Sequence, residues 1–202
     1  MQLRFATSLT SAEYVTQRAW RDASLDGCPA HPEGDCGFKR NGTYERAEPP
    51  GARVSRWYCA LAHTTFSLLP DCLAAKLPGS LHEVEQVLAA VEQAPSLEAA
   101  ADKLRPDILL PGALRWVRRR LALVKAALAT LISLCPALVG GCEPTLSSMR
   151  AHLHSEPLLP VLRWLGEAYL PTLPPPLGFG PRAQAGRKQQ HDSGARAPPE
   201  GG

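Results

Sequence analysis

The sequence lacks several features that would place it in a common functional class. Only 6% of its 202 residues are aromatic, and a formal net charge of +3 is too small to indicate a nucleic-acid partner by itself. The N-terminus lacks the apolar core of a signal peptide. The longest apolar run, 126–141, is too short and too interrupted to span a bilayer. We therefore expect a cytoplasmic protein with no membrane partner.

Catalytic motifs are also scarce. The sequence contains no Ser/His/Asp set, no Gly-rich phosphate loop and no HExxH pattern. A metal-dependent enzyme is therefore the least favoured interpretation, and we expect neither catalytic residues nor an organic cofactor.

Proline, by contrast, is abundant, and its 20 residues divide the chain into short elements. Capping-box patterns at Thr10-x-x-Glu13 and Ser80-x-x-Glu83 predict two helix starts, the second followed by apolar residues at helical spacing. Residues 28–69 have a different texture. The stretches RNGTYER and PPGARVSRWYC predict two short strands joined by a Pro-Pro-Gly turn.

These patterns predict a mainly α protein with a small β zinc ribbon. We expect an N-terminal extension with a short helix (1–27), a zinc-ribbon-like module (28–70), a helix-turn-helix-like helical domain (80–133) and C-terminal helices (143–170). Residues 171–202 are rich in Pro, Gly, Arg and Gln. We expect them to form a disordered tail, because they cannot bury enough apolar surface to offset the entropy of ordering.

Cysteine and histidine cluster in one part of the chain, in the patterns Cys28-x2-His31-x4-Cys36 and Cys59-x3-His63. In a reducing compartment such a cluster favours a metal over a disulfide. Zinc takes four thiolate or imidazole ligands in a tetrahedron, so five candidates compete for four positions. We expect the ligands to be Cys28, Cys36, Cys59 and His63, with His31 as the alternative ligand.

The expected zinc is structural. A catalytic zinc keeps one position open for water and needs a general base nearby. Glu33 and Asp35 are the available carboxylates, but their setting is more typical of solvated loop charges.

A second feature is a local excess of positive charge. Residues 108–142 include no acidic residue, although they carry several basic ones. Such a stretch matters more for a polyanionic partner than the net charge does. Its apolar residues recur every three or four positions and predict a long helix. The arginines off that apolar stripe suit a helix-turn-helix recognition helix, or else a solvated face of a plain bundle: Arg115, Arg118 and Arg119.

Together these pieces resemble a known family. Many insertion-sequence transposases begin with a zinc ribbon of the form C-P-x-C-G … K-x-G … R-Y-x-C-x-x-C … T-F, followed by a helix-turn-helix. This chain has CP from residue 28, CG from 36, RNG from 40, RWYC from 56 and HTTFS from 63. The resemblance covers about residues 28–130.

The resemblance implies roles for individual residues. The zinc ligands would be Cys28, Cys36, Cys59 and His63. A basic ribbon surface would include Arg40, Arg53 and Arg56, and a recognition helix would direct Arg115, Arg118 and Arg119 towards DNA. The chain departs from the pattern in its longer first knuckle and its histidine ligand. It also lacks the three separated carboxylates that hold two metals in acidic-triad transposases.

The leading hypothesis is a zinc-stabilised, non-enzymatic DNA-binding protein that resembles the DNA-binding part of a transposase without its catalytic domain. The alternative is a protein-interaction module that uses the ribbon and the helical surface, including as a homodimer.

Overall fold

A mixed β-sheet organises the N-terminal half of the chain. The computed structural model describes residues 1–181, and in that part four strands form one sheet in the order β1–β4–β3–β2. The strands β2, β3 and β4 form an antiparallel meander, and β1 pairs in parallel with β4. Their bounds are Gln2–Phe5 (β1), Lys39–Glu45 (β2), Arg53–Cys59 (β3) and Thr64–Pro70 (β4).

The sequence explains both hairpins of the meander. The Pro-Pro-Gly turn joins β2 to β3, and Gly51 lies there at φ +78°, in the left-handed region that glycine tolerates best. Only residues 60–63 separate β3 from β4, so Cys59 pairs with Thr64 directly beside that turn. Phe66 and Leu68 are buried on one face of β4 and Leu69 is buried on the other, so the sheet is covered on both faces towards its Pro70 end.

Seven α-helices complete the described part of the chain. They are Ser11–Thr16 (α1), Leu81–Gln93 (α2), Leu97–Leu104 (α3), Leu110–Leu134 (α4), Pro136–Val139 (α5), Leu146–Leu153 (α6) and Leu158–Leu165 (α7). Both predicted capping boxes are present, with Thr10 before α1 and Ser80 before α2. Within the described residues, none of these helices combines the length and hydropathy that crossing a membrane requires.

Two carboxylates of α2 hold the C-terminal helices in place. Glu85 is 2% exposed and accepts the backbone N–H groups of Leu158 and Leu159, each at 2.9 Å, at the start of α7. It also accepts a hydrogen bond from Arg150 at 2.7 Å. Glu92 accepts the N–H groups of the first residues of α6. The free donors of both helix starts are thus satisfied by one neighbouring helix.

A buried arginine connects the sheet to the end of the described chain. Arg163 on α7 is fully buried and donates only to backbone carbonyl oxygens. Burial lowers its pKa to about 10, so the side chain is still a cation at neutral pH. Because carbonyl dipoles replace its hydration, the buried charge needs no carboxylate in direct contact. Its five acceptors are Pro70, Asp71, Leu73, Pro176 and Leu177, at 2.6–3.2 Å.

The expected fold class is wrong. The β structure is a four-stranded mixed sheet rather than a small ribbon, because β1 joins it as a parallel edge strand. The helices after residue 80 do not form a separate helix-turn-helix bundle, because α2 packs against α3, α4, α6 and α7 together. Tyr14 and Trp20, from the stretch before the ribbon, lie in the core beside the sheet.

The expected disordered tail is wrong for its first part. Leu173 and Leu177 are fully buried in the main helical core, and Phe179 packs at its edge. The carbonyls of residues 176 and 177 accept hydrogen bonds from Arg163, which explains why a Pro-rich segment is fixed without regular structure. The remainder of the predicted tail, 182–202, lies outside the described residues.

We predict that Arg163→Lys lowers the free energy of unfolding by about 2–4 kcal/mol. Lysine keeps the charge but has three donors and no planar fork, so at least two of the carbonyls would lose their partner. Urea denaturation followed by circular dichroism measures the change.

Arg119→Lys is the matched control, because Arg119 is exposed on α4, and we expect a change below about 0.5 kcal/mol. Equal stability of the Arg163→Lys protein and the wild type would show that the carbonyl contacts do not stabilise the fold.

Candidate metal centre

Four of the predicted ligand residues come together in space. The ligand atoms of Cys28, His31, Cys36 and Cys59 all lie within 4.8 Å of one another. The three cysteines are buried and His31 is half-buried. This cluster, called the thiol–imidazole site below, could hold a metal ion.

Local backbone structure delivers each ligand. Cys28 and His31 face each other across an isolated β-bridge, which closes a tight turn. The chain then turns through Gly34, at φ +92°, and reaches Cys36, whose carbonyl accepts the N–H of Leu61 at 3.2 Å. Cys59 is the last residue of β3 and is fully buried. The loop of residues 28–37 thus presents three of the ligands, and the end of β3 presents the fourth.

Glycine is required at one position of this approach. Gly37 has φ +65°, and a Cβ atom there would lie 3.1 Å from the Cβ of Ala60. A larger residue would therefore be strained and would push the first loop away from the β3–β4 turn.

Two of the distances between ligand atoms match the edges of a tetrahedral zinc site. Metal–ligand bonds of about 2.0–2.3 Å produce a tetrahedron with edges of about 3.3–3.8 Å. The Nδ1 atom of His31 lies 3.3 Å from the Sγ of Cys59 and 3.8 Å from the Sγ of Cys28. The N–H of Ala62 also donates to the Sγ of Cys59 at 3.3 Å, a contact that stabilises a thiolate ligand.

Aromatic side chains surround the site. Phe38 stacks on Trp57 with ring centroids 5.3 Å apart and meets Phe66 edge-on at 6.0 Å. The three cysteines and Phe66 form the buried part of this small cluster. The ligands are therefore shielded from water on this side, which strengthens coordination and limits access.

The thiols of the site differ in proton affinity. Burial tends to raise the pKa of Cys28, but hydrogen bonds with His31, Ala30 and the other two thiols outweigh it and lower the pKa to about 6. Burial and the neighbouring thiols raise the pKa of Cys36 to about 11. Two thiolates at this distance repel each other. A second thiol of the site therefore loses its proton readily only when a cation such as a metal ion is bound next to it.

The structure places the two candidate histidines differently. His31, the alternative ligand, lies in the site, whereas His63 is exposed and its Nδ1 contacts the hydroxyl of Tyr58 at 3.2 Å. The backbone explains this. His63 sits at φ +46° in the β3–β4 turn, and its side chain is directed along the sheet surface towards Tyr58. By contrast, the turn that joins Cys28 to His31 brings the His31 ring next to the Cys28 thiol.

The other cysteines do not join a metal cluster in residues 1–181. All six cysteines are free thiols. Glu33 and Asp35 are exposed and lie outside the thiol–imidazole site.

The predicted DNA-contacting arginines fall into two groups. Those of the ribbon are engaged within the fold: Arg40 donates to the carbonyls of Trp20 and Arg21, and Arg53 lies 3.7 Å from Glu45. Arg56 is half-buried on β3. On α4, Arg115, Arg118 and Arg119 are exposed, and Arg118 is 4.0 Å from Glu98.

Comparisons with known proteins found no match. No family model, no curated protein and no solved structure matches the chain. The functional argument therefore depends on the chain's own geometry.

We predict that the purified protein binds about one zinc ion, as a four-ligand site does, and that His31→Ala weakens binding more than about 100-fold. Cys28→Ser, Cys36→Ser and Cys59→Ser should have the same effect, because each removes one ligand of the cluster. Competition with a chromogenic chelator measures affinity, and elemental analysis measures stoichiometry.

His63→Ala is the matched control, since that ring lies outside the site, and it should bind zinc like the wild type. Loss of zinc by His63→Ala together with its retention by His31→Ala would reverse the ligand assignment.

Zinc binding should also release protons. Near neutral pH the Cys36 thiol is protonated, because its pKa is about 11, and it must lose that proton to coordinate. We expect release of at least about one proton per zinc, measured by calorimetry in buffers of different ionisation enthalpy. Cys36→Ser should release fewer protons. An identical heat of binding in every buffer would contradict the expectation.

Proposed function

We propose that the protein is a non-enzymatic, zinc-stabilised DNA-binding protein. The observation that carries the metal part is the thiol–imidazole site, with three thiols and one imidazole within 4.8 Å of one another. Soft thiolates with an imidazole favour zinc over magnesium or calcium, which prefer oxygen ligands.

The zinc is structural in this proposal. Four protein ligands fill a tetrahedron, so no position is left for a water or a substrate. The carboxylates nearest in sequence, Glu33 and Asp35, are exposed and could not act as a base on a buried ion. The ion would instead fix the loop of residues 28–37 to the end of the β3–β4 hairpin.

The DNA part of the proposal is supported by one surface of α4. Arg115 and Arg119 are exposed four residues apart on one face of the helix, with the exposed Arg118 beside them, and the exposed Lys125 follows Arg118 by seven residues, about two helical turns. The α4 sequence contains no acidic residue, and the only ion pair recorded for these side chains in residues 1–181 is the long contact between Arg118 and Glu98. A basic helix face of this kind binds phosphates.

A second candidate function has its own observation. Three consecutive apolar residues at the start of α4 are exposed, and Leu109 has 85% of its surface accessible. An apolar tip of this kind is typical of a protein-interaction surface. The tip consists of Ile108, Leu109 and Leu110.

We predict that the zinc-loaded protein binds random duplex DNA at low salt and that the Arg115→Gln/Arg119→Gln double variant binds more weakly. Removing two phosphate contacts should reduce the slope of log affinity against log salt by about 2. Fluorescence anisotropy over a range of salt concentrations measures both. Arg18→Gln/Arg21→Gln is the matched control, because both arginines are exposed on the N-terminal segment far from α4 in sequence.

If the anisotropy shows no DNA binding at low salt, the DNA-binding proposal is wrong. If the protein self-associates in sedimentation velocity and Leu109→Ser abolishes this, the interaction function replaces it. Arg115→Gln/Arg119→Gln should leave such an association unchanged.

A further inference from the structure

A cleft beside α2 and α4 contains an arginine with an unusual environment. The cleft has a volume of about 710 Å³ and lies between the loop after β2, the first half of α2, and the α3–α4 segment. Arg120 forms part of its wall and is only 6% exposed. Its guanidinium lies 3.6 Å from the ring centroid of Trp116.

Most charges that line the cleft are already neutralised by neighbours. Arg105 and Asp107 form a two-pronged ion pair at 2.8 and 2.7 Å. Glu83 accepts the N–H of Ser80 at 2.6 Å and belongs to the capping box of α2.

Two lining charges have no such partner in residues 1–181: Arg120 and Glu48. Neither makes a recorded hydrogen bond or ion pair there through its side chain: Arg120 contacts the indole face of Trp116, and the charges of Glu48 and Glu83 act on it from beyond ion-pair distance. Burial lowers the pKa of Arg120 to about 10, so it remains positive at neutral pH. The guanidinium nitrogens have no protein acceptor but are not sealed from solvent, so an anionic group placed in the cleft could accept hydrogen bonds from them.

The rest of the lining restricts the ligand further. Glu48 is exposed at the rim and would repel a simple anion, but it would attract a positive group on the same ligand. The wall between the two charges includes the apolar side chains of Val84, Val87 and Leu104. The cleft thus offers one positive group, one negative group and an apolar surface to a molecule of small size.

The geometry points to a binding site for a small zwitterion with an apolar body, of the class of an apolar α-amino acid. Its carboxylate binds Arg120 over the Trp116 ring, its ammonium group binds Glu48, and its side chain contacts the apolar wall. This site is separate from the thiol–imidazole site and from the exposed basic face of α4.

The experiment is a thermal-shift screen of the zinc-loaded full chain against the standard L-amino acids, followed by calorimetry. We expect an apolar amino acid to bind. Its des-amino analogue and its decarboxylated amine should each bind at least about tenfold more weakly, because each leaves one charge of the cleft unpaired. Glu48→Gln should weaken binding of the amino acid but not that of its des-amino analogue, because the substitution removes a negative charge that attracts the ammonium group and repels a simple anion.

Arg120→Gln should abolish binding of the amino acid and of the des-amino analogue. Arg120→Lys keeps the buried charge and checks for a folding defect, and Lys103→Gln, an exposed change on α3 outside the lining, should bind like the wild type. The inference is overturned if no amino acid binds, if Arg120→Gln binds as the Lys103→Gln control does, or if either analogue binds as well as the amino acid.

Discussion

The hydrogen bonds of Arg163 are the constraint on which the tertiary arrangement depends. One guanidinium joins three parts of the chain: the carbonyls that follow β4, the helix α7 that carries it, and the Pro-rich segment at residues 176 and 177. Prolines cannot donate backbone hydrogen bonds, so this segment can be fixed only through its carbonyls and its apolar rings. A buried cation with a planar set of donors meets that need, whereas an apolar side chain would leave the carbonyls unsatisfied.

The two ends of the sheet are stabilised by different chemistry. At the Pro70 end of β4, Arg163 and large aliphatic clusters hold the structure. At the Cys59–Thr64 end the buried side chains are mostly thiols, supported by Phe66 and the partly buried Phe38 and Trp57. Three thiols bury little apolar surface, so this end has a small hydrophobic contribution to stability. Coordination of a metal by the thiol–imidazole site would compensate for it.

Local signals predicted the individual elements well. The capping boxes at Thr10 and Ser80 and the Pro-Pro-Gly turn depend on contacts within a few residues, and such contacts can be read from sequence. The strand β1 could not be predicted, because four residues at the N-terminus form a strand only by pairing with β4 more than sixty positions later. The burial of residues 173–180 likewise depends on a contact between distant parts of the chain, the hydrogen bonds from Arg163. No pattern of apolar residues in the sequence indicates that Arg163 is buried.

The candidate site was partly predictable for a similar reason. The sequence spacing identified all three cysteine ligands of the site. Clustered cysteines indicate a metal site even when the exact conformation of the loop that carries them is not known. The choice between His31 and His63 depends on backbone angles: His63 lies in a left-handed conformation that directs its ring to Tyr58. The buried position of Arg120 was also hidden, because a run of three arginines in a basic helix does not reveal which one turns inward onto a tryptophan.

The thiol–imidazole site and Arg163, which stabilise opposite ends of the sheet, are far apart in sequence. This separation has a consequence for synthesis on the ribosome. Every residue of the thiol–imidazole site lies between positions 28 and 59, so the metal-binding end is complete once the β3–β4 hairpin has emerged. Arg163 is 93 residues beyond its acceptor Pro70, and the carbonyls at 176 and 177 follow later still. A sheet that formed on the nascent chain would have its metal-binding end complete, and its other end without Arg163, while more than ninety further residues are translated. During that interval, metal binding could stabilise the sheet, whereas the hydrogen bonds of Arg163 could not yet form.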